Sequence, residues 1–527
     1  CNKIKHFSQY VCVTIMIIVD GLEVNMEKRD AWNSRFTFIM AAVASAVGLG
    51  NLWRFPGIVY QNGGGAFLIP YFVALVTAGI PLLAMEISIG KKFQLGAPMA
   101  LKKMNPKFEW IGWLGVGTAS CITSYYSVVL AWVVYYVYLA FKSPWIHKNA
   151  TDIFLKDTLH VSSGMFDIVG INWLMFTALI VGWFVIWLCI RKGVDSVSKV
   201  LNYVVTVPLF LLIVMIGRAI TLPGAMQGLY YYLVPDWSKL LDPSVWAAAY
   251  GQVFFSLSIL FSIMVAYGSY LKKDAPVTSD SIIIALADAL VSFLAGLASF
   301  GTLGYLSHVT NTPISEMSYS GVMFAFVTYP TAIAAMPGGT LAVKAFSLIF
   351  FVILFLLALG SVFSIVLAVA TSFKDKFGTS KAKTTLFFSI VGCVIAMLYV
   401  TDAGLYWVDV VDHFMNDFNL IMIGLIETVA LGWFYGADKV LEIVNEGCNF
   451  KYGKSWIFCI KFLCPIVFAI ITVSYLYVNI KTPYGGYPLS NLMIAGWGFI
   501  AVTFVFSALM TYFKDFKALE SIEDKEL

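Results

Sequence analysis

The chain has 527 residues, 60% of them hydrophobic and only 12% charged, with 34 basic against 30 acidic side chains and a net charge of +4. A mean hydropathy of +0.83 excludes a water-soluble globular protein, and so mild a charge gives no reason to expect a nucleic-acid partner. Apolar runs of about 20 residues, the length needed to cross a bilayer, recur along almost the whole sequence.

Residues 1–25 fit this pattern poorly. The apolar run Val11 to Val19 is too short to span, no small-x-small cleavage site follows it, and Met26 followed by EKRDAW reads as a more natural start. This stretch is taken as an artefactual or disordered lead. Twelve spans follow, near 36–60, 64–88, 109–141, 170–190, 195–216, 244–272, 279–306, 342–374, 384–400, 405–434, 456–478 and 490–513. Lysine and arginine concentrate in alternate loops, from Lys28/Arg29 through Lys91/Lys92, Arg191/Lys192, Lys272/Lys273 and the run from Lys374 to Lys383 to Lys514/Lys517. The positive-inside rule therefore places both termini in the cytoplasm of a multi-pass membrane protein. The 8 cysteines are scattered and lie mostly within spans, so no structural disulfide is expected. Two outer segments are long, 142–169 and 307–341; the second has Pro and Gly breaks and reads as short helices packed over the protein. The tail 514–527 is charged and reads as disordered.

Two spans look interrupted. The first carries AVGLGNLWRFP, Ala46 to Pro56, and the sixth carries FFSLSILFS, Phe254 to Ser262. They stand five spans apart, the arrangement of transporters built from inverted repeats, which bind substrate and ions where their helices break. Unpaired backbone inside a membrane is tolerated only where it is buried in protein or lines a cavity. Unwinding at Gly48–Gly50 frees N–H groups for an anion and carbonyls for a cation. Asn51 adds a hard oxygen suited to sodium, and Arg54 needs an aqueous vestibule and a carboxylate.

AVGLGNLWRFP, followed by NGGGAFLIPY (Asn62 to Tyr71) and GIPLLAMEISIG (Gly79 to Gly90), resembles the neurotransmitter:sodium symporters, the sodium-coupled neurotransmitter and amino-acid carriers of the leucine-transporter fold. The similarity continues through SYYSVVLAW, GQVFFSLS, SYLKKD and WFYGADK. It implies an all-α membrane protein of about 12 transmembrane helices. Residues 26–440 would form a ten-helix core of five-plus-five inverted repeats with helices 1 and 6 broken, and 441–513 two additional helices.

The resemblance implies that the substrate carboxylate meets the amides of Leu49 and Gly50 and the hydroxyl of Tyr126. Monoamine carriers place an aspartate where this chain has Gly48, so an amino acid that brings its own carboxylate is expected. The side-chain pocket would be lined by Ser45, Ile122, Phe255, Ser256, Ser258, Phe261, Val362 and Ile365, which suits a neutral substrate. One sodium ion would be held by the Ala46 carbonyl, Asn51, Ser256 and Asp288. A second would use carbonyls of Ala44, Val47 and Leu357 with Ser361, but Gly360 supplies no oxygen where relatives have one. Tyr71, Gln252, Ser256, Asp288 and Ser292 match a chloride site. Relatives usually carry asparagine at 288, so Asp288 is expected both to ligate sodium and to replace chloride, since an anion beside it would meet Coulomb repulsion. Arg54 with Asp412 across the outer vestibule, and Phe255 as an aromatic lid over the substrate, would close the outer side; Arg29 and Trp32 against Asp375, with Tyr270 nearby, would close the inner side. Glu86 reads as a structural partner of the broken sixth helix, and Leu260 and Ser262 replace glycines common in relatives.

The leading expectation is sodium-coupled, chloride-independent import of a neutral amino acid, with no organic cofactor, in a prokaryotic plasma membrane. A homodimer is a candidate assembly. The competing reading is a sensor or channel on the same fold. An enzyme lacks support, since no HExxH, GxSxG or paired intramembrane aspartate motif occurs, and no P-loop supplies ATP chemistry.

Overall fold

The computed structural model describes residues 30–191, 193–317 and 321–515. The lead at 1–25 and the inner-gate candidate Arg29 lie outside the described residues. Every regular element among those described is a helix; pairing of extended backbone is limited to two isolated bridges, Gly64 with Pro235 and Ile171 with Thr401.

Among the described residues ten helices are long and apolar enough to cross a membrane, and the pair Arg35–Ala46 and Gly50–Gln61, bent by 51°, makes an eleventh. The sixth expected span is present as Pro243–Ser256 and Ile263–Gly268, pieces of 14 and 6 residues that are each too short to cross alone. Twelve spans are thus reached only by joining the halves of both interrupted helices. The outer segment 307–341 contains the short apolar helical stretch Gly321–Ala335, whose Phe326 stacks on Phe154 and packs edge-on against Tyr136.

The first break follows from its sequence. Val47 turns extended at φ −76° and ψ 98°, ending the first half. Gly50–Arg54 then winds as a wide π-turn, and Pro56 sits in the opening turn of the next helix, where its missing N–H costs nothing. At the sixth break Ser258, Leu260 and Ser262 all adopt left-handed backbone, with φ of 53°, 71° and 64°. L-residues there are strained by about 1–2 kcal/mol each, and specific hydrogen bonds hold them. Leu260 N–H donates to Glu86 Oε1 at 2.5 Å, Ser258 Oγ to the Ser45 carbonyl at 2.8 Å, and Ser262 Oγ to the Gly112 carbonyl at 3.1 Å. Glu86 therefore acts on the sixth helix as the sequence suggested. Leu260 lies against Gly424 of the tenth span, so its bulk does not narrow the substrate pocket.

The third and eighth spans pack along each other. The eighth, Gly339–Phe377, has 39 residues and so extends about 58 Å at 1.5 Å per residue, well beyond the ~30 Å hydrocarbon core. At its inner end Lys376, fully buried, is salt-bridged to Glu109 and to Asp515, the latter at 2.9 Å. Lys102 reaches the same two carboxylates at 2.8 and 2.5 Å. The start of the tail, expected to be disordered, is thus tied to the core at Asp515, and Phe513 packs on Phe377.

Burial pushes the Asp515 carboxyl up, but Lys102 and Lys376 outweigh it and hold it below the ordinary carboxylate range. A depressed folded-state pKa stabilises above the unfolded value and loses that contribution as pH falls through the folded one. The difference in melting midpoint between the native chain and Asp515→Asn is therefore expected to be constant above about pH 4 and to shrink below it. A difference that shrinks instead toward alkaline pH would show that the carboxylate is not the titrating partner.

Candidate substrate and ion site at the helix breaks

The two breaks face each other across a small cavity of about 40 Å³. From the first break Ser45, Ala46, Gly48, Gly50 and Asn51 line it. From the sixth come Phe255, Ser256, Ser258 and Phe261, from the third span Ile122 and Tyr126, and from the eighth Ser361 and Ile365. Leu49 faces the vestibule above, and Val362 is buried outside the lining. Tyr126 is the anchor across the break: its hydroxyl accepts the Leu49 N–H at 3.4 Å, a long contact. The glycines are dictated by close approach. A Cβ at Gly48 would stand 2.5 Å from Ser361 Oγ, and one at Gly50 would stand 2.5 Å from the Phe255 ring.

Asn51 is buried and its amide is fully engaged. Oδ1 accepts the Gly48 N–H at 2.8 Å; Nδ2 donates toward Asp288 Oδ1 at 2.7 Å, Ser292 Oγ at 2.8 Å and Ser256 Oγ at 3.1 Å. The oxygen expected to face sodium is therefore turned to the backbone, and the amide nitrogen stands among the oxygens instead. Ser256 Oγ also donates to Asp288 Oδ2 at 2.7 Å. Asp288 is wholly buried and receives only these neutral donors. Tyr71 lies beside Asp288 and Ser292. Both ends of the buried Gln252 amide lack hydrogen-bond partners among the described residues.

The first and eighth helices meet at the residues expected around a second cation. A Cβ on Gly360 would meet the Ala44 carbonyl oxygen at 2.5 Å, so the eighth helix presses its backbone onto the first at that point. Val47 and Leu357 line a separate apolar void of about 20 Å³. Ser361 lines the cavity between the breaks, with its Oγ 2.5 Å from where a Cβ on Gly48 would stand.

The outer closure corrects the expected pairing. Arg54 is salt-bridged to Asp417 and lies 4.4 Å over the Phe255 ring. Asp412 instead accepts from the Tyr125 hydroxyl and from Asn416 Nδ2, each at 2.7 Å. The reason is local. Phe414–Asn419 winds as a π-turn, whose i→i+5 repeat brings Asp417 onto the face that carries Asp412. His413 Nδ1 shares Asp417 at 3.0 Å and stacks on Tyr484 at 3.6 Å. Asp417→Asn is therefore expected to loosen the outer closure more than Asp412→Asn, by roughly tenfold in the rate at which an outside thiol reagent reaches a cysteine placed at Ser256. Equal rates would return the role to Asp412. Above the closure opens a polar vestibule of about 450 Å³.

On the inner side the described candidates Trp32, Tyr270 and Asp375 each have a partner. Trp32 donates its indole N–H to the Tyr267 carbonyl at 3.0 Å and packs edge-on against Tyr267 and Tyr270. Tyr270 shares a 2.6 Å hydrogen bond with Thr371, and Asp375 accepts the Gly96 N–H at 2.6 Å.

The model of the sodium:neurotransmitter symporter family matches residues 29–152 and 146–518. The chain belongs to that family. It is 37% identical over 498 residues to an uncharacterized sodium-dependent transporter of Methanocaldococcus jannaschii, covering 93% of this chain and 99% of that one. It is 31% identical over 491 residues to the sodium- and chloride-dependent GABA transporter 2 of Rattus norvegicus, covering 86% and 80%. The sodium- and chloride-dependent taurine transporter of Canis lupus familiaris is 31% identical over 500 residues, again covering 86% and 80%. Membership makes this a multi-pass membrane protein of a sodium-dependent symporter family, a family of transporters. Within it, the residues that motif spacing missed are Asp417, Asn416, His413 and Tyr125. A π-turn leaves no mark in a pattern scanned at 3.6 residues per turn.

Proposed function

We propose that the chain couples the inward sodium gradient to import of a neutral amino acid by alternating access. The observation that carries this is the pair of broken helices around one small pocket with no charged side chain in its lining. Its floor holds Asn51, Ser256 and Asp288 within hydrogen-bond distance of one another. The amide nitrogen of Asn51 stands where a cation would meet the Asp288 carboxylate. Turning that amide by half a rotation would present its oxygen to sodium and free the Gly48 N–H for a substrate carboxylate. Each ligand would then prepare the site for the other, which is positive coupling. Leu49 and Gly50 amides with Tyr126 would take the carboxylate, and Gly48 leaves no rival carboxylate in the way. The 40 Å³ of free space, about three waters' worth, favours a small side chain. One sodium is proposed, at the Asp288 site; the close contact of Gly360 with Ala44 argues against a second. The lysine-rich loops support cytoplasmic termini in the plasma membrane.

Two readings of the chloride position compete. The fixed charge of Asp288 favours chloride independence. The unpartnered Gln252 amide favours an anion or polar guest beside it. Uptake of labelled neutral amino acids into proteoliposomes under an inward sodium gradient, with chloride and then with gluconate, tests both. Accumulation that needs sodium and ignores chloride supports the first reading, and loss in gluconate supports the second. Binding without accumulation would replace the symporter with a sensor.

A further inference from the structure

Ser361 stands where the eighth span meets the first break, and its hydroxyl is an exception on its helix. A hydroxyl in the middle of a membrane helix ordinarily donates its proton to a carbonyl one turn back. Ser364, Thr371 and Ser372 do so at 2.8, 2.6 and 2.9 Å. Thr118, Ser120 and Thr123 of the third span do so at 2.9, 2.8 and 2.8 Å. Ser361 reaches the Leu357 carbonyl only at 3.5 Å, beyond the normal range of an O–H···O bond.

Its neighbours show where it points. Of all side-chain atoms, its Oγ comes nearest to the place of a Cβ on Gly48, at 2.5 Å, and the Tyr126 hydroxyl follows at 3.6 Å. The two hydroxyls adjoin, and Gly48, Tyr126 and Ser361 all line the cavity between the breaks. Tyr126 takes the Leu49 N–H on its oxygen, and its own proton reaches no carbonyl or carboxylate among the described residues. Two O–H donors thus converge over a backbone position that has no side chain. Such a pair matches the two oxygens of a carboxylate, whereas a sodium ion would use their lone pairs and leave both protons without an acceptor.

We propose that Ser361 binds the substrate carboxylate, donating to one of its oxygens while Tyr126 donates to the other. This rests on the reading of the chain as an amino-acid carrier. The test measures binding of tritiated glycine, L-alanine and L-leucine to the full chain in nanodiscs at saturating sodium, with the carboxamide of whichever binds as competitor. Ser361→Ala is expected to weaken the amino acid by roughly tenfold or more, the scale of a hydrogen bond to a charged group, and its carboxamide by less than about twofold. Unchanged carboxamide binding shows that the pocket is still folded. Ser361→Cys, which fills the same space with a weak donor, should behave like the alanine variant, and Ser361→Thr, which keeps the hydroxyl, should retain most of the preference for acid over amide. Equal weakening of acid and amide, or none, would overturn the proposal; equal weakening with a lower Hill slope for sodium would make Ser361 a cation ligand instead. A native chain that binds none of the three amino acids would overturn the amino-acid reading itself, and this proposal with it.

Discussion

Replacing Asp288 with asparagine is expected to lower apparent sodium affinity by roughly 10- to 100-fold, the scale of one charge-assisted interaction. It should also make the remaining uptake depend on chloride. The substitution keeps shape but turns one of two accepting oxygens into a donor and removes the one formal charge among Asn51, Ser256 and Ser292. A cation there would lose its counter-charge, and an anion beside Gln252 would lose its repulsion. Uptake of the variant in chloride and in gluconate, across a sodium titration, reads both effects. Residual transport indifferent to chloride would show that Asp288 does not take chloride's place.

Lys376→Met is expected to destabilise the protein by about 3–5 kcal/mol, the usual result of removing one partner from a buried ion pair. Glu109, 2% exposed, would keep only the more accessible Lys102 and the Trp113 indole, which donates to it at 3.1 Å. Adding Glu109→Leu should recover much of the loss, because the uncompensated buried carboxylate disappears while Lys102 and Asp515 remain paired. Thermal inactivation of the single and double variants measures this. A double variant as weak as the sum of its parts would mean that packing, and not charge pairing, holds this end of the eighth helix.

The architecture was legible because a membrane leaves little choice. Glycine, asparagine, arginine and proline within a few residues of one apolar span must mark backbone facing protein or water, and the break at Val47 lies where those residues put it. Gly360 was equally readable, since a residue without a side chain cannot supply an oxygen. Directions of side chains were not readable. Ser361 and Ser256 look alike as hydroxyls on apolar helices and both line the cavity between the breaks, yet only Ser256 also reaches Asp288. The π-turn at Phe414–Asn419 shifted the outer salt bridge from Asp412 to Asp417, a one-residue change in winding that no residue type announces. Lys376 read as one more positive charge beside the membrane; only the approach of Glu109 and Asp515 from distant parts of the chain buries it.

The stacking at the outer closure has a mechanical consequence. Asp417 holds the Arg54 guanidinium, which lies over Phe255, whose ring in turn fills the space that a side chain on Gly50 would need. Charge pair, aromatic lid and helix break form a series, with each layer resting on the one below. Such a stack is expected to open as a single switch and not as three independent latches. Its energetics are correspondingly non-additive: in a double-mutant cycle, Asp417→Asn and Phe255→Ala are expected to cost less together than the sum of their separate effects, because either alone already releases the other.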